Sequence, residues 1–472
     1  MTLARVTELE YSDSVARRFR ALADLPWPVW LDSAARGGPS GRYDILAADP
    51  SVTLRTRGQI TEIAARDGAR TSSPSSPFAL LRAQLGERCA AIDDLPFCGG
   101  AIGYFGYDLG RRLERLPSIA AADVDMPELA VGIYDWAVVI DHVKSSARLV
   151  ALGRDPRTFE QWPHLLERLA LPVAAKAETP FRVLTRARST VSREEYAEAF
   201  RRVQEHIRVG DCYQVNLTQR FEARADGDPW SAYLKLREIN PAPFAAYLDF
   251  PDGRVLCSSP ELFLRVVGDH VETKPIKGTR PRGADDARDR ALAAALKASA
   301  KDRAENVMIV DLLRNDLGKA CVPGSVRATK LFDVESFASV HQLVSTVEGR
   351  LAPGRDALDL LEGCFPGGSI TGAPKVRAMQ IIEELEPQRR GVYCGAIGYV
   401  GYDGNLSLNI AIRTLVQHGD SIYAWAGGGV VADSDVDAEY QESLDKAAAL
   451  LEVLNPRASH VPRDNQNRSD SR

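Results

Sequence analysis

The chain has 472 residues, 45% hydrophobic and 26% charged, with a formal net charge of −5 at pH 7. That length supports one large or two medium domains with substantial cores, and the acidic balance argues against nucleic-acid partners, which favour basic stripes. No apolar run is long enough to span a bilayer, MTLARVTELEYSDS lacks a secretory apolar segment, and seven scattered cysteines without a CxxC pair read as reduced thiols, so a cytoplasmic protein without membrane partners is expected.

In chain order, the first signal is a repeat. GAIGYFGYD at 100–108 and GAIGYVGYD at 395–403 agree at eight of nine positions. A separation of 295 residues is too long for a solenoid, so two similar β elements in two related halves are expected, the glycines allowing close backbone approach. Residues 1–165 form an N-terminal region, and 166–190 lose clear periodicity and read as a linker. A second region follows over 191–455, then a polar tail over 456–472 expected to be disordered. Ser192 and Glu195 form a capping box before the apolar stripe Tyr196, Phe200, Val203 and Ile207, and Gly210 ends that helix. CYQVNLTQRFEA alternates Tyr213, Val215 and Leu217 against Gln214, Asn216 and Thr218, a strand with one polar face. Further strands are expected at 254–258, 262–267, 392–400, 406–415 and 421–426, and helices at 286–300, 302–317, 374–385 and 437–453. Strands mostly without βαβ spacing suggest an α/β or α+β fold with large antiparallel sheets.

Several stretches carry candidate chemistry. KPIKGTRPRG at 274–283 sets Lys277 just before Gly278-Thr279, where a strand is expected to stop; that lysine reads as an anion clamp, a surface charge or a nucleophile. At helical spacing Glu305 shares a face with Met308, Ile309 and Leu312, where a carboxylate is costly to bury without a cation. An arginine salt bridge would answer that cost. Glu439, Glu442 and Lys446 lie on one side of the last helix with Leu450 and Val453. There an exposed Glu442–Lys446 pair competes with a second reading, in which two helices aim carboxylates at one divalent cation of the Mg2+ type. WAGGGVVADS at 425–434 is read as a strand end whose glycines form a plain turn or an anion-binding nest. GCFPGGSITGAPK does not match a nucleotide-binding loop, because Pro374 precedes its lysine and Val376 follows it. Strand alternation places Arg413 on the face of Asn409 and Ala411, where it suits a carboxylate. His341 is weaker evidence, because a lone histidine is more often structural than catalytic.

Read together, SSPELFL, PIKGTRPRG, AENVMIVDLLRNDLG, VHQLVSTVEG, GCFPGGSITGAPK, YCGAIGY, IRT, AGGGVVADS and EYQESLDKA resemble the chorismate-utilising enzymes, the family of anthranilate, aminodeoxychorismate, isochorismate and salicylate synthases. The resemblance is densest over 192–454. It implies two large antiparallel sheets packed face to face with helices outside. Carried over position by position, it implies magnesium ligands at Glu305 and Glu442 with Glu439 beside them. Substrate contacts are implied at Arg413, Tyr393, Ser369, Lys446, Gln214, Thr279 and the backbone of Gly427 and Gly429. Glu261 would be the acid that helps the C4 hydroxyl leave, with His341 lining the reacting edge of the ring.

Two positions separate the reactions within that family. Members that add water resemble one another in a lysine base where this chain has Gln214, and a neutral amide cannot deprotonate water. PIKGT resembles the aminodeoxychorismate-forming members, and PIAGT the anthranilate-forming ones. The resemblance therefore implies Lys277 as a nucleophile, which needs its pKa drawn below the usual ~10.4. No glutaminase signature is present, so a separate glutamine amidotransferase subunit is the expected ammonia source. An anthranilate-forming subunit is the alternative function, and a non-catalytic binding protein on the same fold a remote one. In relatives the region matching 31–50 and 239–247 can hold tryptophan; LDSA at 31–34 replaces the usual LLES, and the sequence leaves that ligand open.

Overall fold

The computed structural model describes residues 4–35, 41–170, 179–337 and 340–455. The expected tail 456–472 and the stretch 171–178 of the expected linker lie outside the described residues.

Two antiparallel sheets, of 13 and 12 strands, carry the chain. Their facing sides share one apolar cluster, in which Ala246, Leu248, Val255 and Val416 of the larger sheet meet Ile102, Tyr104, Val131 and Leu408 of the smaller. Neighbouring residues Tyr247, Leu256 and Leu415 point the other way, into a cluster with Phe19, Trp162, Trp230 and Leu450 of the covering helices. The two-residue period of a strand builds both layers at once. The fold is the expected α+β arrangement of face-to-face sheets with helices outside. Burial on both faces also explains why Leu129–Tyr134 and Trp136–Asp141, buried at every position, read as apolar runs without alternation.

The sequence repeat marks a duplication. Strands Gly100–Phe105 and Ala396–Gly401 pair with each other, antiparallel, with Gly103 opposite Gly398. A Cβ on Gly103 would lie 2.1 Å from the Ala130 carbonyl oxygen, so only glycine allows that approach. Outward from the middle of the larger sheet, one side runs Val29–Asp32, Tyr43–Ala47, Trp136–Asp141, Ser146–Ala151 and Arg5–Leu9. The other runs Phe244–Phe250, Gly253–Ser259, Thr414–His418, Ser421–Val430 and Gln214–Asp226, joined in the same sequential order. Both sheets therefore draw strands from before and after residues 166–190. Within that stretch, helix Pro156–Ala170 overlaps the start, and Arg182–Val183 and Arg188–Ser189 add to strand Gln214–Asp226.

Helices form at Asp286–Ala298, Ala300–Gly318, Lys375–Leu385 and Val436–Leu454, close to the expected spans. Helix Arg193–Arg208 carries the capping box of Ser192 and Glu195, worth about 1 kcal/mol. Three expectations change. Residues 406–415 are not one strand: Leu406–Ile410 lies in the smaller sheet and Thr414–His418 in the larger, and the chain crosses between them. Gln214, Asn216 and Thr218 do form one face of their strand, but that face is buried, at 0%, 7% and 6% exposure. Gly427, Gly428 and Gly429 form neither a turn nor a nest; they sit within strand Ser421–Val430, opposite Thr218, Leu217 and Asn216.

Candidate active site

The site gathers at a place where the chain twice passes from one sheet to the other. Gly253–Ser259 ends in the larger sheet, and Leu262–Val267 begins in the smaller, with Glu261 at the corner. The return passage, between Leu406–Ile410 and Thr414–His418, has Arg413 at its corner. The two corners are stitched together: Ile410 N–H donates to the Glu261 carbonyl at 3.1 Å and Ser258 N–H to the Arg413 carbonyl at 3.1 Å. Ser259 Oγ adds a bond of 2.6 Å to the Ile410 carbonyl. Arg413 has φ +53°, a left-handed conformation that disfavours a side chain. Its position on a strand face, expected from alternation, is replaced by this corner. The side chain reaches the last helix, where Nη1 donates to the Lys446 carbonyl. Burial lowers its pKa, while Tyr393 and Glu442 oppose that shift.

Lys277 lies on the edge strand Ile276–Pro281, which continues past it instead of stopping there. The register slips between Ile276↔Val344 and Thr279↔Gln342, so Lys277-Gly278 form a bulge, a device that re-aims a side chain. Gly278 has φ +82°, and a Cβ there would lie 2.8 Å from Asp302 Cγ. The bulge turns Lys277 Nζ inward, 3.4 Å from the Ser369 carbonyl oxygen in the turn Gly368–Ile370. Burial lowers the amine's pKa, and the neighbouring Lys446 ammonium lowers it further against Glu305, Glu261 and Glu442. Glu261 is 5% exposed. Burial pushes its carboxyl up to about 7, despite the opposing Ser369 hydroxyl, Lys277 and Lys446. A buried amine whose charged form is disfavoured, beside a carboxyl raised to about 7, can offer a nucleophile and a proton donor together.

Three more carboxylates face this pair. Glu305 comes from helix Ala300–Gly318, and burial raises its pKa, with Glu439 and Glu442 adding to the rise. Glu439, 3% exposed, is raised by burial and accepts 2.7 Å from Ser434 Oγ. Glu442 is held low: burial would raise it, but Lys446 at 2.6 Å, with Lys301 and Lys277, outweighs that rise. Lys446 also donates to the Gly427 carbonyl at 3.0 Å. Gly428 makes room for the group, since its Cβ would lie 3.0 Å from Glu439 Oε2 and 3.3 Å from Glu442 Oε1. Lys301 Nζ stands 3.9 Å from both Glu305 and Glu439. No group of three or more acidic, histidine or cysteine side chains among the described residues is closed up as a metal cage. The donor set still suits a hard cation, being all carboxylate oxygen, partly buried and mutually repelling.

Three expected residues stand apart. His341 is 2% exposed, its ring held by Ser336 Oγ at 2.8 Å and Asp289 Oδ1 at 3.0 Å. Thr279 is exposed and pairs with Gln342. Gln214 packs against Gly429, whose Cβ would lie 2.3 Å from its Nε2, and neither amide atom has a hydrogen-bond partner. Sequence reasoning missed Gly428, Lys301 and Ser434. Lys301 was findable as the i−4 neighbour of Glu305, the spacing of a helical ion pair.

A separate cavity of about 590 Å³ is lined by strands of both sheets. Leu31, Asp32 and Ser33 line it together with Pro243 and Phe244, bringing together the two segments 31–50 and 239–247. Asp32 accepts 2.8 Å from Tyr233 and 2.6 Å from Arg237 Nε. No helix among the described residues is long and apolar enough to cross a membrane, and all seven cysteines are free.

A family model of chorismate binding enzymes matches residues 33–452. The chain is 47% identical over 447 residues to aminodeoxychorismate synthase component 1 of Salmonella typhimurium, covering 94% of this chain and 96% of that protein. It is 40% identical over 433 residues to anthranilate synthase component 1 of Thermus thermophilus, covering 91% and 92%. The crystal structure of anthranilate synthase component I from Streptococcus pneumoniae superposes with a TM-score of 0.78 at 32% identity, over 88% of this chain and 93% of that one.

Proposed function

Because the chain belongs to the family of chorismate binding enzymes, we propose that it aminates chorismate to 4-amino-4-deoxychorismate as the large subunit of an aminodeoxychorismate synthase. The observation that carries this reading is the bulge that turns Lys277 Nζ toward Ser369, beside Glu261, whose carboxyl burial pushes up to about 7. The identity to the Salmonella protein favours the same product.

The chemistry runs through two displacements. Uncharged Lys277 Nζ adds at C2 of the ring, and the C4 hydroxyl leaves as water with the proton of Glu261. Ammonia then adds at C4, the lysine amine leaves from C2, and a proton shed by the added nitrogen returns to Glu261, regenerating the enzyme. Splitting the substitution this way keeps nitrogen at C4, which one direct addition at C2 would not do. Arg413 and Tyr393 hold a substrate carboxylate, and Lys446 holds the Gly427 strand beside it. Glu305 and Glu442, with Glu439 beside them, would hold Mg2+. When bound, that ion supplies a hard positive charge for a second carboxylate. A glutamine amidotransferase partner supplies ammonia in this reading, so glutamine alone gives the isolated chain no product while ammonium salts do.

Incubation with chorismate, magnesium and ammonium, with and without an added lyase, tests the assignment. Product of 4-amino-4-deoxychorismate mass, converted to p-aminobenzoate only by the lyase, is expected. Directly fluorescent anthranilate would establish the alternative, for which the 40% identity to the Thermus protein stands. Tryptophan is the ligand proposed for the cavity lined by Asp32 and Phe244, where a buried acid and an apolar wall meet. Calorimetric titration with tryptophan checks it, and no heat of binding at millimolar concentration would rule it out.

A further inference from the structure

Behind the site lies a buried ion pair that takes no part in the displacements. Arg390, 1% exposed, spreads its guanidinium over three segments. Nε and Nη2 donate to Glu386 Oε2 and Oε1 at 2.8 and 2.6 Å, Nη1 to the Ile370 carbonyl at 2.9 Å, and Nη2 to the Asn216 carbonyl at 2.6 Å. Its face lies 4.8 Å from the Tyr107 ring centroid. Glu386 Oε1 accepts further from Thr218 N–H at 2.9 Å and Thr218 Oγ1 at 2.8 Å. Each carbonyl bonded by Arg390 backs a wall of the site. Ile370 follows Ser369, against whose carbonyl oxygen Lys277 Nζ rests at 3.4 Å. Asn216 and Thr218 pair with Gly429 and Gly427 of the glycine strand.

We propose that the Arg390–Glu386 pair is a positioning element for the reaction, fixing the distance between the Ser369 turn and the glycine strand and so the place where Lys277 and Glu261 meet substrate. It touches no reacting atom. A pair kept only for stability could be replaced by apolar side chains at little cost, since burying two charges offsets most of their attraction. A positioning pair could not, because the Ile370 and Asn216 carbonyls would lose the donor that holds them. The inference rests on the reading of Lys277 as the reacting amine.

The test is the double variant Arg390→Met/Glu386→Leu, with Thr218→Val as a milder probe that removes one bond to Glu386. Thermal unfolding of the double variant is expected below that of the parent, because the Ile370 and Asn216 carbonyls and both Thr218 donors lose their partners, so kinetics are read well under that temperature. Its kcat with ammonium is expected to fall about 10²-fold, as for a misplacement near 1 Å, with KM for chorismate changed much less. Acylation of Lys277 by an N-hydroxysuccinimide ester, read by mass spectrometry against the exposed Lys297, should quicken as the wall loosens. Thr218→Val should shift kcat and acylation in the same directions by less. Unchanged kcat and unchanged Lys277 labelling in a folded double variant would overturn the proposal. If the double variant does not fold, the same null result in Thr218→Val overturns it. Should Lys277→Ala keep full activity, the nucleophile reading fails and the positioning of a reacting amine falls with it, whereas an essential Lys277 with unchanged kcat and labelling in the double variant overturns the positioning inference alone.

Discussion

At 259–262 and 410–414 the chain passes between the sheets, and it does so again at 49–52 and 134–136 in the other half. The backbone of the two crossings is alike. Pro50-Ser51 precede strand Val52–Arg57 as Pro260-Glu261 precede Leu262–Val267, and Asp135 stands where Arg413 stands, one residue before the next strand. The left-handed residue sits differently, at Asp49 (φ +54°) on the outgoing passage of the first half and at Arg413 (φ +53°) on the return passage of the second. The side chains differ. In the first half Asp135 is 1% exposed and accepts from Arg154 N–H at 2.8 Å, while the Arg154 guanidinium lies 4.1 Å from the Tyr402 ring centroid. Gly153 nearby leaves space that Phe159 fills. In the second half Gly428 leaves space that carboxylates and Lys446 enter. One corner closes over itself with aromatic rings, and the other stays lined with charge. The scaffold offers the same crossing twice, and the residues along it decide which becomes a site.

The sharpest way to break this contrast is Lys277→Ala, which should abolish aminodeoxychorismate formation with ammonium, any residual product being anthranilate; retained turnover would exclude the nucleophile. Next comes Glu261→Gln, expected to slow kcat by about 10²–10⁴-fold. Its pH profile sharpens the point. The acid must carry its proton, and burial sets its pKa at about 7, so the parent's rate should fall as pH rises through that value. The amide of the variant cannot ionise, and that descending limb should vanish. Gly428→Ala places a methyl 3.0 Å from Glu439 Oε2. It should raise the magnesium concentration giving half-maximal rate several-fold, with unfolding temperature nearly unchanged. The smallest effect on turnover is expected in the first half. Asp135→Ala leaves Arg154 N–H unpaired and should cost about 1–3 kcal/mol of stability in denaturant titration, with kcat unaltered.

Much of this is legible in the sequence. The capping box, the long helices and the inward carboxylates Glu305 and Glu439 follow from spacing, because a helix face is fixed by its 3.6-residue period. The repeated GAIGY segment foretells the duplication but not that its copies pair with each other, since pairing is set by tertiary register. Alternation misplaces Arg413 because apolar residues continue on both sides of the crossing, and only a left-handed dihedral marks the corner. Glycine after Lys277 reads as the end of a strand, whereas an extra residue in the ladder keeps the strand going and turns the amine inward. Arg390 and Glu386 escape notice altogether: a charged run after a helix reads as surface until its partners, Ile370 and Asn216, are brought round from elsewhere in the chain.

The antiparallel seam between Gly100–Phe105 and Ala396–Gly401 has a counterpart in the larger sheet, where Val29–Asp32 pairs with Phe244–Phe250. Severing the polypeptide between its duplicated portions would bare four ladder edges, two on each fragment, with their amides and carbonyls unmatched. Neither fragment should remain monomeric by itself. Co-expressed, the pieces have complementary margins through which to zip into a working whole.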